Sequence, residues 1–355
     1  MRIRRIAYAT IGSVLVLFGA CTLGRPRALR WLAQEDATDV ATHDAAPGKP
    51  SVAATATEED GREDAATTGR TIDPEALRRD VVALTEGFPH RSYGQPTVLD
   101  DAARWLDASL RQTGGRITEQ RFTVGGGSYA NVIASYGPDG GPRVVVGAHY
   151  DAAHSLPGAD DNASGVAGLL ALARALGDAP PAGRVDLVAY TLEEPPNFAT
   201  DNMGSVQHAK SLREAGVAVR AMISLEMIGY FDSAEGTQSY PAGGMEDVYG
   251  SRGDFIAVVG DLDSRPLIAE VKAAMRRGSD VRVESLSAPR FVRGVDWSDH
   301  RSYWAEGYPA VMITDTSFLR NRRYHTDEDV AATLDYTTMA KVVASTLAAV
   351  RALAQ

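Results

Sequence analysis

Five short stretches of this chain carry side chains that could act on a substrate. They are His149-Tyr150-Asp151, Gly158-Ala159-Asp160-Asp161-Asn162, Glu193-Glu194, Glu226-Met227 and Tyr324-His325-Thr326. Taken singly, each has an ordinary structural explanation. A histidine or carboxylate after a strand is usually a cap or a solvated loop residue, and Asp160-Asp161 could complement a helix dipole. Glu193-Glu194 before Pro195-Pro196 could be a surface turn. Brought to one rim, Asp161, Glu193, Glu194 and Glu226 would repel one another until several took up protons. Divalent cations remove that problem, because two of them nearly balance three carboxylates. Two imidazoles with carboxylates form a nitrogen and oxygen donor set that suits zinc. One carboxylate bridging two ions, each also held by a neutral histidine, is a sensible co-catalytic arrangement.

The elements between these stretches place them. Asp73-Pro74-Glu75 reads as an N-cap, a first-turn proline and a first-turn acid, so a helix is expected from about 74 to 86. A second is expected from about 97 to 112, with Ala102, Leu106 and Leu110 on one face. Apolar runs follow at Val144–Val146, Val185–Leu192, Ala221–Leu225, Phe255–Val259 and Ala310–Ile313. Helical patterns near 164–177, 204–215, 264–277, 298–306 and 335–353 lie between or after them. Continuous apolar strands separated by amphipathic helices predict an α/β fold, a mostly parallel central sheet with helices on both faces. Ser233 to Gly253 is polar and Gly-rich and reads as a loop insertion. In open parallel sheets ligands bind beyond the carboxyl ends of strands. His149, Glu193-Glu194 and Glu226 each follow such an end, Asp160-Asp161 precede a helix, and His325 follows the last strand.

In this order the residues resemble the di-zinc exopeptidases of metallopeptidase family twenty-eight, which includes secreted bacterial leucine aminopeptidases and glutamate carboxypeptidase. The resemblance covers about residues 72 to 353, and all five ligand positions have a candidate. It implies a single catalytic domain of the phosphorylase/hydrolase-like zinc exopeptidase fold, two Zn2+ ions and peptide substrates. His149 would bind the first zinc with Glu226, Asp161 would bridge, and Glu194 and His325 would hold the second. Glu193 would be the general base, and Tyr324 would hydrogen-bond the developing oxyanion. Asp151 would orient His149 through its other ring nitrogen, and Asp299-His300 would support the site by hydrogen bonds. Asp160 and Asn162 have no ligand role in this scheme. The family's aminopeptidases usually carry Asp where this chain has Glu226. In related di-zinc exopeptidases Glu there accompanies carboxypeptidase or dipeptidase activity, which stays open as an alternative.

The chain has 355 residues and a formal charge of -10. That balance argues against a nucleic-acid surface, which needs clustered Lys and Arg. The single cysteine, Cys21, rules out an intramolecular disulfide framework and cysteine-based zinc fingers. Residues 1–34 read as a signal peptide or N-terminal membrane anchor: Arg2, Arg4 and Arg5 precede an uncharged run from Ile6 to Gly24. A helix of that run would reach about 28 Å, close to a bilayer's hydrocarbon thickness. Leu17-Phe18-Gly19-Ala20-Cys21 resembles a bacterial lipoprotein cleavage box, with Cys21 as the lipidated residue. Lipoprotein, uncleaved anchor and cleaved signal all place the globular part outside the cytoplasm. Residues 35–70 hold no aromatic, Leu, Ile or Met and read as a disordered acidic linker. The folded catalytic domain is expected over 71–355.

Three other functions compete. A serine hydrolase of the α/β-hydrolase type lacks its Gly-x-Ser-x-Gly elbow here. A glutaminyl-cyclase-like acyltransferase shares the fold and much of the ligand set, although Asp160-Asp161-Asn162 favours the peptidases. A non-catalytic binding module on the same fold should have lost ligands or the base, and this chain keeps candidates for all of them. Tyr240, Trp297, Tyr303 and Phe318 are either pocket or core residues by sequence alone.

Overall fold

The computed structural model describes residues 71–355. The expected anchor with Cys21 and the expected acidic linker lie outside the described residues. Asp73 accepts a hydrogen bond from the Glu75 amide and opens helix α1, Pro74–Gly87, which buries Leu77, Val81 and Leu84. Helix α2, Pro96–Arg111, buries Leu99, Ala102, Leu106 and Leu110.

The strands are β1 (Arg116–Val124), β2 (Gly127–Tyr136), β3 (Arg143–His149), β4 (Arg184–Tyr190), β5 (Val219–Glu226), β6 (Phe255–Gly260), β7 (Arg282–Ser287) and β8 (Ala310–Thr314). They form one sheet in the order β1-β2-β4-β3-β5-β8-β6-β7. The centre, β4-β3-β5-β8, is parallel; β2 joins β4 and β6 joins β8 antiparallel, and β7 runs parallel to β6. The mostly parallel sheet expected from the apolar runs is therefore present, extended at both edges. Strands β1, β2 and β7 are additions that apolar runs could not signal. β1 reads Arg-Ile-Thr-Glu-Gln-Arg-Phe-Thr-Val and is mostly exposed, and β7 is an edge strand with Arg282, Glu284 and Ser285. A strand that faces water on one side carries alternation, not a continuous apolar run.

The two faces of the sheet bury separate cores. Val144 and Val146 point into the larger one with residues of α3 (Gly165–Asp178), α6 (Arg265–Gly278) and α8 (Tyr336–Leu353). Val145 points the other way, towards Ala209 of α4 (Gly204–Glu214) and Tyr303 and Trp304 of α7 (His300–Ala305). Period-two geometry thus explains why Val144, Val145 and Val146 of β3 are all apolar. The segment from Ser233 to Gly253 is loop except for one turn, α5 (Glu246–Tyr249). Among the described residues no helix is long and apolar enough to cross a membrane.

Consecutive central strands leave β3 in opposite directions, since β4 lies on one side of it and β5 on the other. That switch opens a crevice at the carboxyl end of β3. His149 is the last residue of β3.

Two histidines are locked neutral in the smaller core. Burial pushes His208 and His300 down to about 4, while His208 Nδ1 lies 2.7 Å from the Tyr303 hydroxyl and His300 Nε2 lies 2.8 Å from the Val295 carbonyl oxygen. Each folded-state value is below the ordinary histidine value near 6.5, so the unfolded chain binds more protons between pH 6.5 and 4. The stabilisation is complete above pH 6.5 and is lost as pH falls towards 4. Each histidine should contribute about 3 kcal/mol to that loss. Denaturation midpoints at pH 7 and pH 4.5 should differ less in His208→Gln than in the parent; equal differences would contradict a neutral buried His208.

Candidate metal centre and active site

Three strand ends and two loops deliver the predicted residues to one place. His149 ends β3, and Glu226 ends β5. Beyond β4 the chain turns at Leu192, whose φ of 60° is left-handed, and presents Glu193 and Glu194 together. Alternation along a regular strand would have pointed these neighbours apart. The turn is held by Asp151, whose carboxylate accepts the amides of Glu193 and Glu194 at 3.2 and 3.1 Å. Its Oδ1 also lies 3.5 Å from His149 Nδ1, and its backbone oxygen 3.2 Å from the same nitrogen.

Asp161 stands between the two imidazoles. Its Oδ1 is 3.4 Å from His149 Nε2 and its Oδ2 is 3.1 Å from His325 Nε2. Glu226 Oε2 is also 3.4 Å from His149 Nε2, and Glu194 Oε2 is 3.4 Å from His325 Nε2. Two triads, His149–Asp161–Glu226 and Asp161–Glu194–His325, share one aspartate, and a third group, His149–Glu193–Glu194, overlaps both; donor atoms in each lie within 4.8 Å of one another. Glu193 Oε2 lies 3.9 Å from His149 Nε2, beside both.

The polar atoms of this cluster fit a metal. His149 Nε2, His325 Nε2 and Glu194 Oε1 are buried and meet no hydrogen-bond partner. Buried polar atoms left without partners cost free energy, so a set aimed at a common centre needs an explanation. Two imidazole nitrogens with carboxylate oxygens are a zinc donor set. Without a cation, protons carry the balance. Burial opposes a charge on His149, yet Glu226 and Glu193 outweigh it and raise the imidazole well above its ordinary value. Burial likewise opposes His325, and Asp161 and Glu194 push it up to about 10. Burial would raise Asp161, but His149 and His325 hold it below the usual carboxylate range. Burial, then the nearby Asp161 charge, pushes Glu194 up to about 7. Burial drives Glu193 well up, with Glu226 and Glu194 adding repulsion against the pull of His149.

Other expected residues separate by position. Tyr324 stacks on the His325 ring at 3.8 Å and lines the same cavity as the triads. Asp299 is fully buried and close enough for His149 to favour its charge, yet burial first, with Glu226 and Asp151, raises it to about 7. His300 faces away: it donates to its own loop and packs edge-on against Trp304, so it bonds none of the ligand candidates. Tyr240, Trp297 and Phe318 line the cavity, whereas Tyr303 is core.

Sequence reasoning missed the residues that tie the loops together. Asp160 Oδ1 accepts the Gly229 amide and Oδ2 accepts Asn321 Nδ2, linking three loops. Asn162 donates to Leu225 O and accepts the Met227 amide, which clamps Glu226 from both sides. The carboxylate of Asp329 accepts the amides of Asp160 and Asp161. Ser298 donates to Glu226 Oε2 at 2.8 Å. Arg91, from the loop between α1 and α2, is wholly buried and donates to the carbonyls of Tyr150, Pro157 and Gly158. Gly158 sits at φ 58°, and a Cβ there would meet the Asp161 carbonyl at 2.2 Å and Arg91 Nη2 at 3.0 Å. A Gly-Ala-Asp-Asp-Asn run could have signalled that tight approach; a single arginine between two helices could not.

Residues 131–350 match the model of peptidase family M28. The chain belongs to that family. A relative of similar length is the uncharacterized protein YfbL of Escherichia coli (strain K12), 47% identical over 284 residues, which covers 78% of this chain and 87% of that one. Leucine aminopeptidase 1 of Uncinocarpus reesii is 26% identical over 294 residues, covering 76% of this chain and 67% of its own. Among solved structures, the LapA aminopeptidase of Legionella pneumophila has a TM-score of 0.64 at 23% identity, covering 80% of this chain and 72% of that one. A glutaminyl cyclase of Bacteroides thetaiotaomicron has the same fold, with a TM-score of 0.61 at 18% identity over 79% of this chain and 98% of that one. This M28 member is thus a zinc metallopeptidase by family, and its buried His, Asp and Glu groups are able to hold metal.

Arg91 lies outside the matched stretch, yet it fastens the loop that joins His149 to Asp161. Arg91→Met would strand the buried carbonyls of Tyr150 and Gly158 and the part-buried one of Pro157, and should cost about 3–5 kcal/mol. Urea denaturation of parent and variant checks this, and a change under 1 kcal/mol would contradict it.

Proposed function

We propose that this M28 peptidase is a two-zinc aminopeptidase that releases amino-terminal residues from peptides. The observation that carries the reading is Asp161, which turns one carboxylate oxygen to each of two histidine-containing triads. In this scheme His149, Asp161 and Glu226 would hold one ion, and Asp161, Glu194 and His325 would hold the other. Bound zinc supplies Lewis acidity, which lowers the pKa of a water and polarises a carbonyl oxygen.

The remaining work belongs to the protein's own groups. Glu193 is the carboxylate beside both triads that is not needed as a ligand, so its Oε2 is placed to take a proton from the attacking water. It then gives that proton to the leaving amine. Asp151 holds His149 through Nδ1 and, by accepting the Glu193 and Glu194 amides, fixes base and ligand relative to each other. Ser298 orients Glu226. Tyr324, stacked on His325, supplies the hydroxyl for the developing oxyanion. The leucine aminopeptidases among the relatives support cleavage at the amino end. The glutamate at position 226 supports the carboxypeptidase or dipeptidase alternative, and the fold shared with glutaminyl cyclases supports acyl transfer.

Glu193→Gln should lower kcat by 10²–10⁴-fold, roughly the contribution of one general base, while retaining two zinc per chain by elemental analysis. His149→Ala and Asp161→Ala should lose zinc. A fully active Glu193→Gln, or one zinc per chain in the parent, would sink the assignment. In the same assay, blocking the substrate's amine should abolish cleavage and blocking its carboxylate should not. The opposite pattern makes the enzyme a carboxypeptidase, and pyroglutamate from glutaminyl peptides makes it a cyclase.

We also propose that the N-terminal segment, as a signal, an anchor or through lipid on Cys21, holds the domain outside the cytoplasm. The uncharged run after three arginines supports this. Cell fractionation should place the full chain with membranes or outside the cytoplasm, and recovery in the cytosol would refute it.

A further inference from the structure

The cavity that opens onto the two triads holds about 300 Å³ and is walled largely by apolar side chains. Tyr240, Trp297, Phe318, Leu286 and Met312 form much of that wall. Away from the carboxylate rim, two charged side chains belong to it, Glu284 and Arg293. Their situations differ. Glu284 Oε1 is 3.0 Å from Arg282 Nε and its Oε2 is 3.6 Å from Lys272 Nζ, so its charge is already answered.

Arg293 meets no carboxylate among the described residues. Its guanidinium carbon lies 4.4 Å from the Phe318 ring centre and 5.4 Å from that of Trp297. Trp297 and Phe318 are themselves in contact at 5.2 Å. Gly294 shapes this corner: it sits at φ 93°, and a Cβ there would already touch the Phe318 ring at 3.5 Å. Arg293 is exposed, and cation–π attraction to the two rings favours this position of its guanidinium. A guanidinium over aromatic rings still has N–H donors to offer as a forked pair to a carboxylate. Of the neighbouring arginines, Arg290 pairs with Asp261, and Arg320, which donates to Gln238 and the Tyr230 carbonyl and keeps Nη2 without a partner, does not line the cavity. From Arg293 the aromatic contacts continue to the metal triads, Phe318 to Tyr324 at 5.9 Å and Tyr324 to His325 at 3.8 Å.

We infer that Arg293 is a substrate-binding residue that takes a carboxylate, so that the preferred substrates are short peptides carrying an acidic group near the scissile bond. This deepens the peptidase reading and rests on it. An apolar wall accommodates side-chain bulk, and a cation in that wall selects among substrates of similar bulk by charge. The carboxylate has two sources, a peptide's free C-terminus or an acidic side chain.

The test uses the zinc-loaded full chain and matched substrate pairs. Leu-Leu against Leu-Leu-amide reads the C-terminal source. Leu-Glu-amide against Leu-Gln-amide, and the p-nitroanilides of Glu against Gln, read the side-chain source. In at least one pair the parent should favour the acid by about three- to tenfold in kcat/KM. Arg293→Gln should bring that ratio near one, and Arg293→Lys should restore part of it. Raising salt should shrink the preference in the parent. Parent ratios near one in every pair, or ratios unchanged in Arg293→Gln, would overturn the inference. Binding of a reduced-bond Leu-Leu analogue, as acid and as amide, is measured alongside by calorimetry. If no peptide is cleaved, the peptidase reading fails, while an acid preference in binding that Arg293→Gln abolishes would still uphold the role of Arg293.

Discussion

The structure is organised around an electrostatic conflict. Asp161, Glu193, Glu194 and Glu226 are all buried at one rim, where mutual repulsion is least screened. Histidines 149 and 325 face them, and their raised proton affinity shows how strongly the rim seeks positive charge. Protons can satisfy that demand, but they leave buried ring nitrogens without hydrogen bonds. Cations satisfy both the charge and the orphaned donor atoms.

Holding like charges together requires external restraint, and the loops around the rim supply it. Asp160, Asn162 and Asp329 spend their polar atoms on backbone amides and carbonyls of the neighbouring loops. Asp151 does the same for the turn after β4. Each bond is individually modest, about 1 kcal/mol for a neutral pair and more for a charged one. Their collective effect is geometric: the carboxylates cannot move apart without breaking several bonds at once. Arg91 adds a buried positive charge beneath the loop from Tyr150 to Gly158 and ties the first two helices to the centre.

The sheet explains why these residues meet at all. β3 lies where the order of connections reverses, so the loops after β3 and its two neighbours diverge and leave a crevice. The insertion between β5 and β6 and the loop before α7 complete the cavity wall with Tyr240, Arg293 and Trp297. Chemistry at the rim and recognition in the wall are thus carried by separate segments.

Much was legible in the residue order alone. Apolar runs long enough for buried strands, with amphipathic helices between them, pointed to a covered, mostly parallel sheet, because strands apolar on both faces need cover on both sides and intervening helices supply it. The types and sequence order of His149, Asp161, Glu193, Glu194, Glu226 and His325 pointed to metal chemistry, since that many acids near two imidazoles has few other uses. Tertiary structure alone decided the rest. Strands β1 and β7 lie at the edges, where exposed polar residues interrupt the apolar pattern, and β2 is interrupted by the buried Asn131 and Ser135. Whether an aromatic residue is core or pocket depends on which element covers it, so Tyr303 and Trp297 looked alike until the chain was folded. The clamps at Asp160, Asn162, Asp329 and Arg91 bind backbone groups up to 169 positions away, and backbone partners leave no mark in a sequence.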